Sequence, residues 1–374
     1  MKLLFLCGSA EPGKDGVGDY TRRLCGELIR RGHHAQMISL CDKNSEVFVN
    51  QIQVIEMTDV LVNRIPINAT YSQRLFLTNE LVKEFTPDWI SLQFVPYSFN
   101  PRGLPFWLPT FLKNIKGKHL WHIMFHELWI GMEDNSSLKN RCFGFLQTQL
   151  VRYILNNLNN LVVNTNTNLY QKKILDLGYD SNFIGLFSNI TNDNCLEVKN
   201  HRILKREIKI AMFGGIHHSS PIQQFIFELK QELEKRDIRM LKFLFIGNCG
   251  KSLKEWTSIL DAEKIEYEIY GYCSEQEISE KLLTCDMGLS TTPYLLIQKS
   301  GSVAAYIEHN LPVICVSRKW KVKDFNIDNT NQFVNIFDFD YHGINKILDT
   351  KIKTPKVNTL SSVTNSFLKT LTYV

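Results

Sequence analysis

The chain has 374 residues, 44% of them apolar and 22% charged, which is more than one typical core requires and fits an ordinary globular protein of two domains. Its net charge of +5 is spread evenly, with 19 basic against 17 acidic residues through position 195 and 24 against 21 beyond it, so no basic tail or domain exists and nucleic acid is excluded as the main partner. Nine scattered cysteines, an odd number with no C-x-x-C, suit free thiols in a reducing cytoplasm rather than a disulfide frame.

In chain order, Met1–Cys7 is apolar but stops at Gly8, too short for a signal-peptide core, and no run approaches the roughly 18 apolar residues of a membrane span. Residues 3–7 read as a first strand. The loop after it, Gly8 to Tyr20, carries Gly16 and Gly18 at the start of a helix over 20–31, with Asp19 as its expected cap. Glycines there let a ligand approach the backbone, but the spacing is not G-x-G-x-x-G and no acidic residue stands where a ribose-binding one belongs. A strand over 34–40, further strand over 53–62, a helix over 71–85 and a buried strand over 89–95 follow. Phe106–Leu112 with Lys113, Lys116 and Lys118 reads either as a core-packed helix or as an apolar, basic patch for peripheral membrane contact. The strand over 119–125 ends at His126-Glu127, and at such a strand end a histidine can hydrogen-bond a sugar hydroxyl or move a proton. A helix over 142–158 and a strand over 161–163 complete the first alternation, which predicts βαβ units and a parallel sheet.

The polar stretch around 192–207 is the expected linker, and the pattern then restarts. Strands are expected at 208–213, 240–246, 267–270, 287–290 and 312–315, with helices at 221–236, 256–262 and 275–284. Gly214-Gly215-Ile216-His217-His218 follows the first of these strands. Adjacent histidines seldom point at one ion, so hydrogen bonding to phosphate or hydroxyls is favoured over a metal. Lys299-Ser300-Gly301-Ser302 is expected to be a loop that opens a helix ending near Asn310. Free amides, the helix dipole and the lysine together make a socket for phosphate. Asp338-Phe339-Asp340 has the form of a metal-carrying D-x-D but is read as a turn lying away from any strand-end cleft. The segment over 360–373 is a final helix. The expected domains are 1–195 and 208–355 joined by 196–207, with 356–374 packing back on the first.

Taken in order, these segments resemble the retaining GT-B glycosyltransferases, in a divergent branch like family 4. Gly16-Val-Gly18-Asp19-Tyr20, Phe125-His126-Glu127, Ser188-Asn189-Ile190, Gly271-Tyr272-Cys273-Ser274 with Glu277-Ile278 and Asp286, and Leu311-Pro312-Val313-Ile314 carry the resemblance. It implies an α/β fold of two facing Rossmann-like domains with a cleft between them, and transfer of a hexosyl group from a nucleotide-diphosphate donor to a glycan or lipid-linked acceptor. It implies a sugar-side role for His126 and donor-side roles for the loop carrying Gly16 and Gly18 and for Tyr272 beside the base; the chemistry of the loops themselves adds Lys299 as a catalytic group and Gly215, His217, Ser300, Gly301 and Ser302 as donor-binding ones, with Lys299 and the 300–302 amides in place of the family's clamp. It implies no metal and no cofactor, and a place in polysaccharide biosynthesis in the cytoplasm or at the inner membrane face. Two departures stand out. The family's pair of glutamates falls at Ile297 and Ala305, and His217 and His218 stand where a diphosphate-clamping Arg and Lys are usual. A non-catalytic nucleotide-sugar-binding relative and a nucleotide-sugar epimerase are the competing readings.

Overall fold

Leu3, Leu4, Phe5 and Leu6 are wholly buried, as expected of a parallel strand covered on both faces, and they mark the centre of the first of two sheets. The computed structural model describes residues 1–192, 207–325, 335–349 and 358–372. The first sheet is built from β1 (Lys2–Cys7), β2 (His34–Asp42), β3 (Val49–Ile55), β4 (Thr58–Pro66), β5 (Trp89–Phe94), β6 (Leu120–Phe125), β7 (Leu161–Thr165) and β8 (Asn182–Phe183). Its order is β3-β4-β2-β1-β5-β6-β7-β8. The second contains β9 (Glu207–Phe213), β10 (Met240–Ile246), β11 (Glu266–Gly271), β12 (Met287–Ser290), β13 (Val313–Cys315) and β14 (Ile336–Asp338), in the order β11-β10-β9-β12-β13-β14. Both sheets run outward from a central first strand in two directions. That is the Rossmann arrangement, in which ligands bind where the order reverses, beyond the strands' carboxyl ends.

Contacts divide the chain into Met1–Phe187 with Thr359–Val374, and Ser188–Asn358. Of the expected linker at 196–207, all but Glu207 lies outside the described residues, and Ile190 already packs in the core of the second unit. The final helix, Leu360–Leu371, belongs to the first unit. Its Val363, Phe367 and Leu371, spaced by four, are buried in the same core as Phe5 and Leu24. Phe367 meets the rings of Phe5 and His122 at 5.9 and 5.0 Å.

Several expectations are corrected. The strand expected over 53–62 is the hairpin β3–β4, paired antiparallel, whose two-residue turn Glu56-Met57 has φ of 47° and 61°. Positive φ at both positions is what a hairpin turn needs, but the usual Asn-Gly signature is missing. Asp15, not Asp19, caps the helix Gly16–Arg30, accepting from the Gly18 N–H at 2.7 Å. Asp19 lies one turn in, where its carboxylate takes the Gly13 N–H and pairs with Arg22. Lys299 closes a 3-10 helix, Tyr294–Lys299, rather than lying in an open loop. Asp338 is the last residue of β14 and so stands at a strand's carboxyl end. It still forms a local turn, accepting from the Asp340 N–H at 3.1 Å. In the helix Leu108–Lys113 the residues Leu108, Pro109, Phe111 and Leu112 are buried, leaving Phe106 exposed beside it. Among the described residues no helix is long and apolar enough to cross a membrane.

At the reversal in the second sheet the two neighbouring strands part early, and a single side chain accounts for it. β9 and β12 pair only at Ile210–Met287 and Ala211–Gly288. Past that point the buried Tyr306 hydroxyl accepts the Phe213 N–H at 2.7 Å and lies 3.1 Å from the carbonyls of Ala211 and Leu289. Its ring takes the space beside Gly288, where a Cβ would lie 2.4 Å from it. Burial drives the phenol pKa far upward, so the proton stays on. Tyr306→Phe leaves these backbone groups without a partner and should destabilise the protein by about 1–3 kcal/mol. Urea unfolding should show a lower midpoint at unchanged slope, and an unmoved midpoint would refute this role.

Candidate functional site

The carboxyl ends of β9 and β12 gather most of the candidates on the second unit. β9 leads into Gly214, at φ 83°, and then into the exposed Gly215. Ile216 is buried and its N–H bonds the Cys249 carbonyl. His217, exposed at its side chain, donates its backbone N–H to Thr291 Oγ1 at 2.8 Å. Thr291 follows β12 directly and was not anticipated; a threonine after an apolar strand gives no sequence signal of its own.

The helix Gly301–Glu308 begins close by. Ser300 caps it, its Oγ accepting the Val303 N–H at 3.4 Å, and the first helical bond runs from the Ala304 N–H to the Ser300 carbonyl. Among the described residues nothing accepts the N–H groups of Gly301 or Ser302. A Cβ on Gly214 would lie 2.9 Å from Ser302 Oγ, so the β9 turn and the helix start are in contact. A Cβ added to Gly301 or Gly215 would meet no neighbouring atom within 4 Å. The result is a pair of amides at a positive dipole end, beside a turn with no side chain to shield them, which is a geometry suited to an anion. Lys299 immediately precedes the cap and is half-buried. Tyr272 is an outlier: it is 68% exposed and follows β11, at the sheet's edge.

On the first unit, Gly16 and Gly18 differ in kind. Gly16 is exposed and has no atom within 4 Å of a built Cβ, whereas a Cβ on Gly18 would meet the Ser9 carbonyl oxygen at 2.6 Å. The Gly18 N–H is held by Asp15. Close packing of helix on loop therefore accounts for Gly18.

His126 follows β6 and is 5% exposed. Its Nε2 lies 2.8 Å from Gln93 Oε1. The Tyr20 ring meets it edge-on at 5.0 Å and is itself stacked on Phe187 at 4.5 Å. Behind Gln93 the polar contacts continue inward. Gln93 Nε2 donates to Ser91 Oγ at 2.8 Å, Ser91 Oγ lies 2.7 Å from His122 Nδ1, and Asn164 Nδ2 donates to His122 Nε2 at 2.9 Å. Burial, with a smaller push from His126, drives the His122 pKa down to about 3, so this imidazole is neutral. No cluster of three or more His, Cys, Asp or Glu side chains able to hold a metal occurs among the described residues.

No family model and no curated protein matches the sequence. Solved structures do match the fold. Anabaena HepE, in complex with UDP and glucose, superposes with a TM-score of 0.63 at 13% identity over 100% of both chains. The catalytic domain of starch synthase IV from Arabidopsis thaliana, bound to ADP and acarbose, gives 0.56 at 11% identity over 100% of this chain and 99% of that one. UDP-GlcNAc 2-epimerase from Methanocaldococcus jannaschii gives 0.55 at 10% identity over 100% of both. The chain has the GT-B fold. Within a GT-B fold the amides of Gly301 and Ser302 lie where α/β sheets usually take their ligands, at the reversal of strand order.

Two outcomes are expected from this geometry. Gly18→Ala should destabilise by about 1–3 kcal/mol through overpacking against backbone, while Gly16→Ala should be neutral or stabilising; equal effects in thermal unfolding would contradict the distinction. For His122 the folded pKa lies below the unfolded value of 6.5, so its contribution is intact above pH 6.5 and drains away as pH falls toward 3. Between pH 7 and 5 the wild type should lose about 2 kcal/mol more stability than His122→Gln, and parallel stability–pH curves would refute it.

Proposed function

We propose that this protein is a glycosyltransferase that moves a hexosyl group from a nucleoside diphosphate donor to a glycan or lipid-linked acceptor, with retention at the anomeric carbon. The observation that carries the reading is the pair of amides at Gly301 and Ser302 that nothing among the described residues accepts, beside the side-chain-free turn at Gly214-Gly215. A departing diphosphate needs donors fixed in advance of the charge that develops on it. Gly301, Ser302 and the Lys299 ammonium are assigned to that charge, Ser300 to shaping the socket, and Gly215 and His217 to its far wall. His126 is assigned to the hydroxyls of the donor sugar, which it orients. Attack by the acceptor on the face the diphosphate leaves requires no protein nucleophile. Gly16 borders the open side of its loop and suits a ligand there better than Gly18 does. Tyr272 is assigned to the base, at the margin of the site. The UDP and glucose in HepE and the ADP in starch synthase IV support a nucleoside diphosphate as the bound group.

A second reading, a nucleotide-sugar 2-epimerase, is favoured by the likeness to the Methanocaldococcus enzyme. Incubation with a panel of nucleotide-sugars separates the two. Release of nucleotide only when an acceptor is present supports transfer, and an isomerised donor supports the epimerase. Binding without turnover would mark a non-catalytic relative and would sink the enzyme reading. Lys299→Ala should weaken binding of UDP or ADP by about 1.5–3 kcal/mol, the scale of a hydrogen bond to a charged group. Unchanged affinity by calorimetry would remove Lys299 from the site.

A further inference from the structure

Building on the reading that His126 contacts the donor sugar, we propose that Gln93 is a positioning residue that fixes the proton of the His126 imidazole on Nε2. Gln93 lies in β5 and His126 directly follows β6, the neighbouring parallel strand, in which Gln93 aligns with Met124 and Phe94 with Phe125. Gln93 is 1% exposed and His126 5%, so water does not compete for their contact. The group facing His126 Nε2, at 2.8 Å, is the carboxamide oxygen. A carboxamide oxygen only accepts, so Nε2 must carry the hydrogen. When the ring is neutral, Nδ1 then holds the lone pair.

Gln93 is held in turn. Its Nε2 donates to Ser91 Oγ at 2.8 Å. Asn164 Nδ2 donates to His122 Nε2, so neutral His122 carries its proton on Nδ1 and gives it to Ser91 Oγ, 2.7 Å away. Asn164 is itself anchored: its Nδ2 donates to Thr370 Oγ1 at 3.1 Å on the final helix, and its Oδ1 accepts from Asn182 at 3.2 Å. The Thr370 hydroxyl donates to the Phe367 carbonyl at 2.7 Å, which leaves its oxygen to accept. A chain of side chains from five elements thus ends on one nitrogen of one imidazole. The competing arrangement has Gln93 turned over, with the Ser91 hydroxyl donating to its oxygen. Its amide N–H would then point at His126 Nε2 and force the proton onto Nδ1.

Nitrogen-15 NMR of histidine-labelled full-length protein reads the difference directly. In the wild type at neutral pH, His126 should show a protonated Nε2, with the N–H proton visible in water because its bond to Gln93 slows exchange. A proton on Nδ1 overturns the proposal, whatever any variant does. Gln93→Met keeps the length of the side chain but removes the acceptor; it should convert His126 to a mixture of tautomers and speed exchange of the N–H at least tenfold. Gln93→Glu, which still presents an oxygen, should restore the single tautomer. A folded Gln93→Met protein whose His126 tautomer and exchange rate match the wild type also overturns the proposal. The readout needs no turnover. A protein that transfers no sugar yet keeps Nε2 protonated would fail the glycosyltransferase reading and leave the role of Gln93 standing.

Discussion

One phenol holds the two central strands of the second unit apart at their carboxyl ends. Where strand order reverses, the connections of neighbouring strands leave to opposite faces and open a crevice beyond the carboxyl ends, and here the strands themselves also part early. β9 and β12 part after two residue pairs because Tyr306 supplies, from a helix, the hydrogen bonds the strands would otherwise give each other. Gly288 makes room for its ring. The same helix then begins at the carboxyl edge with two amides that nothing among the described residues accepts. The plug that separates the strands and the dipole that faces outward are therefore parts of one short helix, Gly301–Glu308, and moving either would move both.

The first unit solves a different problem, that of holding a polar residue at the end of an apolar strand. His126 is buried, with the Tyr20 ring edge-on to it. Gln93 on the next strand gives it a fixed partner, and the Ser91–His122–Asn164 chain gives Gln93 one. Each of these groups would be costly to bury alone. Together they satisfy one another, and the depressed pKa of His122 keeps a charge from entering the middle of the chain.

The sequence made the strand ends legible and left what stabilises them unseen. Buried parallel strands read as apolar runs, so β1, β5, β6, β10 and β12 are legible nearly to the residue, and with them the loops that carry Gly215, His126 and Ser300. The β3–β4 turn escaped because Glu-Met lacks the residues that normally signal positive φ. The sequence points to Asp19 as the cap, whereas Asp15 takes the Gly18 N–H, and the close approach of Gly18 to Ser9 that goes with it leaves no mark in residue spacing. Tyr306 and Gln93 were invisible for a deeper reason. A tyrosine in an apolar helix and a glutamine in an apolar strand look like local exceptions, yet their partners stand 93 and 33 positions away in the chain. Spacing rules reach one or two turns; these contacts exist only once the sheets have formed.

The return of the helix Leu360–Leu371 to the first unit has a consequence for biogenesis. Phe367 closes the core over Phe5 and His122, but it is translated some 180 residues after Phe187. At typical ribosomal speeds the amino-terminal half waits on the order of 10–40 s for it. During that interval the faces of β1 and β6 that will receive Phe367 are uncovered on the nascent chain, a natural stretch for a chaperone to occupy.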